Sequence, residues 1–162
     1  ALRRQADVAL GLLPPPGLNL LQTHLFDEQY RVIGPPSLSA DAAAAVELNR
    51  SRLILAVPSA TFADDIEQVV ADHGLTDNVC LRLRHFGALP DLLGTIDALA
   101  IVPGQFARRL AAAGQARMLD IALPRGRQKV LMLWHPNTMT DPACVWLRSV
   151  ILDLFQDPDL CA

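Results

Sequence analysis

Two short stretches carry residue types suited to holding a small molecule: Pro58-Ser59-Ala60-Thr61 and His85-Phe86. Each follows an apolar run and precedes a helix-like pattern. That spacing places both at the carboxyl ends of strands, where open α/β sheets bind ligands. Leu12-Leu13-Pro14 and Val102-Pro103 occupy the same kind of position. Two roles are open to Ser59 and Thr61: capping the helix that follows, or joining its free N–H groups to hold a ligand carboxylate. His85 is open to the same division, between a cap or surface residue and a donor to a carboxylate or phenol. Phe86 beside it supplies the apolar wall that a ligand site needs. The candidate ligand-binding set is therefore Leu13, Pro14, Ser59, Thr61, His85, Phe86 and Val102.

The sequence carries none of the familiar catalytic motifs. There is no Gly-x-Ser-x-Gly elbow, no His-Glu-x-x-His and no glycine-rich phosphate loop. No paired carboxylates stand next to a base, so no catalytic residue, resident cofactor or metal set is assigned. The three cysteines, Cys80, Cys144 and Cys161, lack ligand spacing, and are expected to be small buried thiols in a reducing compartment. The 162 residues carry a formal net charge of −3 and show no basic face, which excludes appreciable nucleic-acid binding by this chain alone. The apolar runs are strand-sized, far short of the roughly 20 residues of a membrane span. With no leader pattern at the start, a cytoplasmic protein is expected.

The elements that must position the candidates alternate. Ala6–Leu13, Leu20–Phe26 and Gln29–Gly34 are expected strands, stopped by Pro14-Pro15-Pro16-Gly17 and Pro35-Pro36. Ser39 caps a helix through Glu47. Arg52–Val57 is a continuous apolar strand, and Thr61–His73 is an amphipathic helix closed by Gly74. Asn78–Arg84 alternates Val79, Leu81 and Leu83 with Cys80, Arg82 and Arg84, the pattern of an edge strand or a partner-facing one. A short helix over Leu89–Gly94, a strand over Ala98–Val102, a helix over Gln105–Ala113 and strands over Met118–Leu123 and Lys129–Trp134 follow. Asp141 is placed to cap a last helix with Pro142 at its first position. Cys144, Leu147, Ile151, Leu154 and Phe155 keep one apolar face of it, and His135 is expected to help dock it. Continuous apolar strands between helices argue for parallel pairing with both faces covered, an α/β fold.

Several motifs, in order, resemble the effector-binding domain of LysR-type transcriptional regulators, in the branch of nodulation and aromatic-degradation regulators. They are Ala6-Asp7-Val8-Ala9-Leu10-Gly11, Leu25-Phe26-Asp27-Glu28-Gln29-Tyr30-Arg31-Val32, His85-Phe86 with Leu89 and Pro90, and Asp97 through Val102-Pro103 to Phe106-Ala107. Trp134-His135 and Asp141–Arg148 complete the series. The resemblance implies a two-lobed fold similar to type 2 periplasmic binding proteins, with the ligand in the cleft. One lobe would comprise residues 1–36 and 126–162, the other residues 37–125. The family's N-terminal DNA-binding domain has no counterpart here, nor do the effector domain's first strand and helix, so an N-terminally truncated lobe is expected. The resemblance further implies no enzymatic activity and a small-molecule effector such as an aromatic carboxylate. It also implies self-association as a dimer or tetramer, and DNA contact only through the missing domain. Two alternatives stand beside it: a solute-binding transport receptor of the same fold, and a dehydratase-type enzyme, for which no acid/base pair is found.

Overall fold

The computed structural model describes residues 6–11, 19–56, 60–123 and 128–156, and the side chains of residues 60–65 and 156 are not described. The chain divides into two compact units, residues 1–28 with 127–162 and residues 29–126.

The first unit holds β1 (Val8–Gly11), β2 (Leu21–Glu28), β8 (Gln128–Trp134) and α5 (Pro142–Gln156). β8 lies between β1 and β2 and is antiparallel to both, because its Val130–Leu133 run is apolar enough to be covered on either side. Asp141 caps α5 as expected: its Oδ1 accepts from the Ala143 N–H at 2.9 Å and the Cys144 N–H at 3.3 Å. Phe155 stacks on Phe26 of β2 with ring centroids 5.2 Å apart, which fixes the far end of the helix.

The second unit is a five-stranded sheet in the order β5-β4-β6-β3-β7. Its strands are β3 (Tyr30–Gly34), β4 (Leu53–Ala56), β5 (Val79–Leu83), β6 (Leu99–Pro103) and β7 (Arg117–Leu119). β4 is parallel to β5 and β6, whereas β3 is antiparallel to β6 and β7. Alternation along the strands builds two cores. Val32, Leu53, Leu55, Leu99 and Ile101 face α2 (Ala60–Asp72) through Ile66, Val69 and Val70. Ile33, Ile54, Ala56, Ala100 and Val102 face α3 (Leu89–Thr95) and α4 (Gly104–Ala112) through Leu89, Leu93, Ala107 and Leu110. Both faces are thus covered, as the buried parallel strands β4 and β6 require. Gly74 and Gly114 close α2 and α4 at φ +67°, a conformation that glycine adopts without strain.

Several expectations change. The helix begun by Ser39, whose Oγ accepts from the Ala42 N–H at 3.1 Å, is α1 (Ala40–Ala44) and stops short of Glu47. The parallel pairing expected throughout is confined to β4, β5 and β6 among the described residues. β3 hydrogen-bonds to β6 and β7, so residues 30–34 join the lobe expected over residues 37–125, and the unit boundary falls at Glu28/Gln29, not after residue 36. Cys144 is buried as expected, but Cys80 is exposed, on the outward face of β5 at the sheet edge.

Candidate functional site

Parallel pairing brings three carboxyl ends to one edge of the second unit's sheet. Ala56 of β4 is level with Leu83 of β5, and Leu55 is level with Ile101 of β6. His85 and Phe86 follow β5, and Val102-Pro103 end β6, so these candidates share that edge with the start of α2. His85 is exposed, in extended backbone before a 3-10 turn at Phe86–Ala88, and its ring does not cap that turn. Phe86 packs against Phe106 of α4 with ring centroids 4.5 Å apart and leans on the second core. An apolar wall beside an exposed imidazole is therefore in place. Val102 contributes differently: its side chain is fully buried in that core, because β6 is the middle strand of the sheet. Leu13, Pro14 and Ser59 lie outside the described residues, and so does the side chain of Thr61.

The remaining singled-out residues take structural positions. Arg82 pairs with Glu67 of α2, its Nε donating at 2.9 Å and Nη2 at 3.3 Å, which ties the edge strand to the helix. His24 reaches Asp27 at 2.8 Å within β2. His73, expected at the surface, is half-buried, with Nδ1 2.6 Å from the Val69 carbonyl. His135 acts in the turn that leads into the last helix. Its Nδ1 accepts from the Asn137 N–H at 3.1 Å, capping the turn Pro136–Thr138. Arg148 does the docking: it is buried, donates to the Thr138 carbonyl at 3.1 Å and the Met139 carbonyl at 2.9 Å, and lies 5.0 Å from the centre of the Trp134 ring. Burial, then the carboxylates of Asp141 and Asp7, push the neighbouring Cys144 thiol up from its ordinary range, against a smaller opposing effect of Arg148. Trp146 points away from this contact and is 65% exposed.

Among the described residues no cluster of ligating side chains could hold a metal ion, and no helix is long and apolar enough to cross a membrane.

A two-unit α/β chain with an exposed donor and aromatic wall at a sheet's carboxyl edge fits a ligand-holding domain. The chain belongs to the LysR substrate binding domain family, which matches residues 1–156. It is similar to the transcriptional activator NagR of a Ralstonia species, 26% identical over 93% of this chain and 51% of that protein. It also resembles Nodulation protein D 1 of Mesorhizobium japonicum, 24% identical over 53% of this chain and 27% of that protein. Its fold matches the crystal structure of the regulatory domain of MexT, a transcriptional activator in Pseudomonas aeruginosa. There the TM-score is 0.67 and the identity 23%, over 92% of this chain and 72% of that one. The chain spans about half the length of NagR.

Proposed function

We propose that this chain is the effector-sensing part of a cytoplasmic transcriptional regulator. A small molecule, in our reading an aromatic carboxylate, binds at the carboxyl edge of β4, β5 and β6. Binding biases the arrangement of a dimer or tetramer and so controls DNA contact made by another part of the whole protein. The observation that carries this is the joint placement of exposed His85 and the Phe86–Phe106 wall at that edge. Membership of a family of regulators supports a sensing role over catalysis, and the named relatives support a regulator over a transport receptor. A ligand shifts the equilibrium only by its differential affinity, and a hundred-fold preference supplies about 3 kcal/mol. Ser59 and Thr61 are proposed to hold the carboxylate and His85 to donate to it or to a phenol, with Phe86 as the apolar wall; Val102, fully buried, supports that wall from the core.

The test is a thermal-shift titration of the full chain with benzoate, phenylacetate and aliphatic carboxylates. We expect an aromatic acid to stabilise the protein. His85→Ala and Thr61→Ala should each weaken its binding by about tenfold, the value of one hydrogen bond. Stabilisation in both variants equal to that of the parent chain would overturn the placement of the site.

Self-association is proposed to use α5. Leu147 and Leu154, expected on one apolar face with buried Cys144, are instead exposed and with Trp146 leave the outer face apolar, and the 55%-exposed Met139 lies just before it. The face carries Asp153 as its one exposed charge. A largely apolar helix face with an exposed tryptophan suits an isologous contact between two copies. Sedimentation of the Trp146→Ser, Leu154→Ser double variant should give a smaller species than the parent chain. An unchanged sedimentation coefficient would exclude this face.

A further inference from the structure

The second unit has a hollow at the opposite edge of its sheet from His85. β3 runs antiparallel to β6, so its end at Gly34 lies by the amino end of β6, and Arg117 at the start of β7 pairs with Gly34. There Pro36, Ala111, Gly114, Ala116, Arg117 and Met118 line an open space of about 310 Å³. This is near the lower end of volumes that hold small organic ligands.

Its electrostatics are one-sided. No Asp or Glu occurs from Ala98 to Leu119, a stretch that carries Arg108, Arg109 and Arg117, in a chain of net charge −3. The Arg117 Nε is shut off from solvent and has no hydrogen-bond partner, and the Arg108 Nε on α4 is in the same condition. Arg117 is the one charged residue among those lining the hollow, and the terminal nitrogens of a guanidinium fit a carboxylate in two-point fashion. The carboxyl end of α4 opposes an anion here, since its carbonyls carry partial negative charge. That opposition is reduced, because the Ala111 carbonyl accepts from the Gly114 N–H at 3.0 Å and the Leu110 carbonyl from the Gln115 N–H at 2.9 Å.

We propose that this hollow is a second ligand site, separate from the edge at His85, for a small carboxylate bearing a compact apolar group. Arg117 holds the carboxylate, and Pro36, Ala111, Ala116 and Met118 surround the apolar part. The mixed lining is the reason for choosing such a ligand over a bare inorganic anion or a polyanion, either of which would need a wetter and more uniformly cationic surface.

The experiment follows the Arg117 side-chain Nε–H and the Gly114 amide by NMR in the full chain, during titration with isobutyrate, isobutyramide and inorganic phosphate. The expected result is a saturable shift of both signals with isobutyrate, with the amide and phosphate at least tenfold weaker. The shift of Gly114 should persist in His85→Ala. It should weaken at least tenfold in Arg117→Met, which keeps the stem and removes the donors, and in Ala111→Leu, which fills the space from an exposed helix end. Equal responses to the acid and the amide, equal or stronger binding of phosphate, or an unchanged Gly114 shift in both hollow variants would each overturn the proposal.

Discussion

Replacing Arg148 by methionine should lower the unfolding free energy of the first unit by about 3 kcal/mol. Two hydrogen bonds from a charged donor disappear, to the Thr138 and Met139 carbonyls, together with the guanidinium stacked on Trp134. Each such hydrogen bond is worth roughly 1.5 kcal/mol or more and the stack about 1, offset by rehydration of the exposed Met139 end. Methionine keeps the apolar stem, so the loss reports the charge and donors and not the packing volume. Lysine should restore no more than about half, because an ammonium is a single point and does not lie flat on indole. The measurement is urea unfolding followed by tryptophan fluorescence. Both tryptophans, Trp134 and Trp146, lie in the first unit, so the signal is specific to it. Removing the helix cap with Asp141→Ala should cost only about 1 kcal/mol and serves as the scale. A loss in Arg148→Met no larger than that of Asp141→Ala, or full rescue by lysine, would show that the turn and helix hold together without the guanidinium.

The same residue shows where local sequence reading stops. Strand and helix positions were legible from apolar runs, breakers and caps. Ser39, Asp141, Gly74 and Gly114 act at the ends where their chemistry placed them. The edge position of β5 was one of the two readings open to its alternation of Val79, Leu81 and Leu83 with polar residues, and the sheet order selects it. Partners distant in sequence were not legible. β3 looks alike whether it pairs with β2 or with β6, since its Tyr30-Arg31-Val32-Ile33 run suits either neighbour. His135 looked like the group that docks the last helix because it adjoins Trp134. The contact is made by Arg148 thirteen positions on, where a helix turn presents it to two loop carbonyls. Cys80 was assigned to the interior by residue type, although the strand's own alternation places it outside. For the candidate site, His85 and Phe86 were found from position alone, while Val102 shares their strand-end address and belongs to the core. Arg117 passed unnoticed, and the one signal for it was the carboxylate-free stretch from Ala98 to Leu119.

Ile101→Ala should destabilise the second unit by about 4 kcal/mol, within the range of roughly 2 to 5 for such a truncation in a core. Ile101 is fully buried on β6, with Leu55 of β4 on one side and Val32 of β3 on the other. It faces the cluster that includes Ile66 and Val69 of α2. The neighbours are strand and helix residues held by their own hydrogen bonds, so the space left by the lost carbons closes poorly and the cavity adds to the transfer loss. Ile101→Val removes one methylene and should cost about 1 kcal/mol. Leu10→Ala, at a side chain 49% exposed in the other unit, should cost a few tenths. Amide hydrogen exchange is the direct reading, because it resolves β4 and β6 from β8. Protection should fall by about a thousand-fold in β4 and β6 of Ile101→Ala if those amides exchange by opening of the whole unit. β6 also carries Val102 and Pro103 to the edge where His85 stands. The same substitution should therefore weaken ligand binding there without touching a ligand-facing group, whereas Leu10→Ala should leave it unchanged. Equal protection in Ile101→Ala and the parent chain would mean that the sheet's middle strand is not what holds this edge in place.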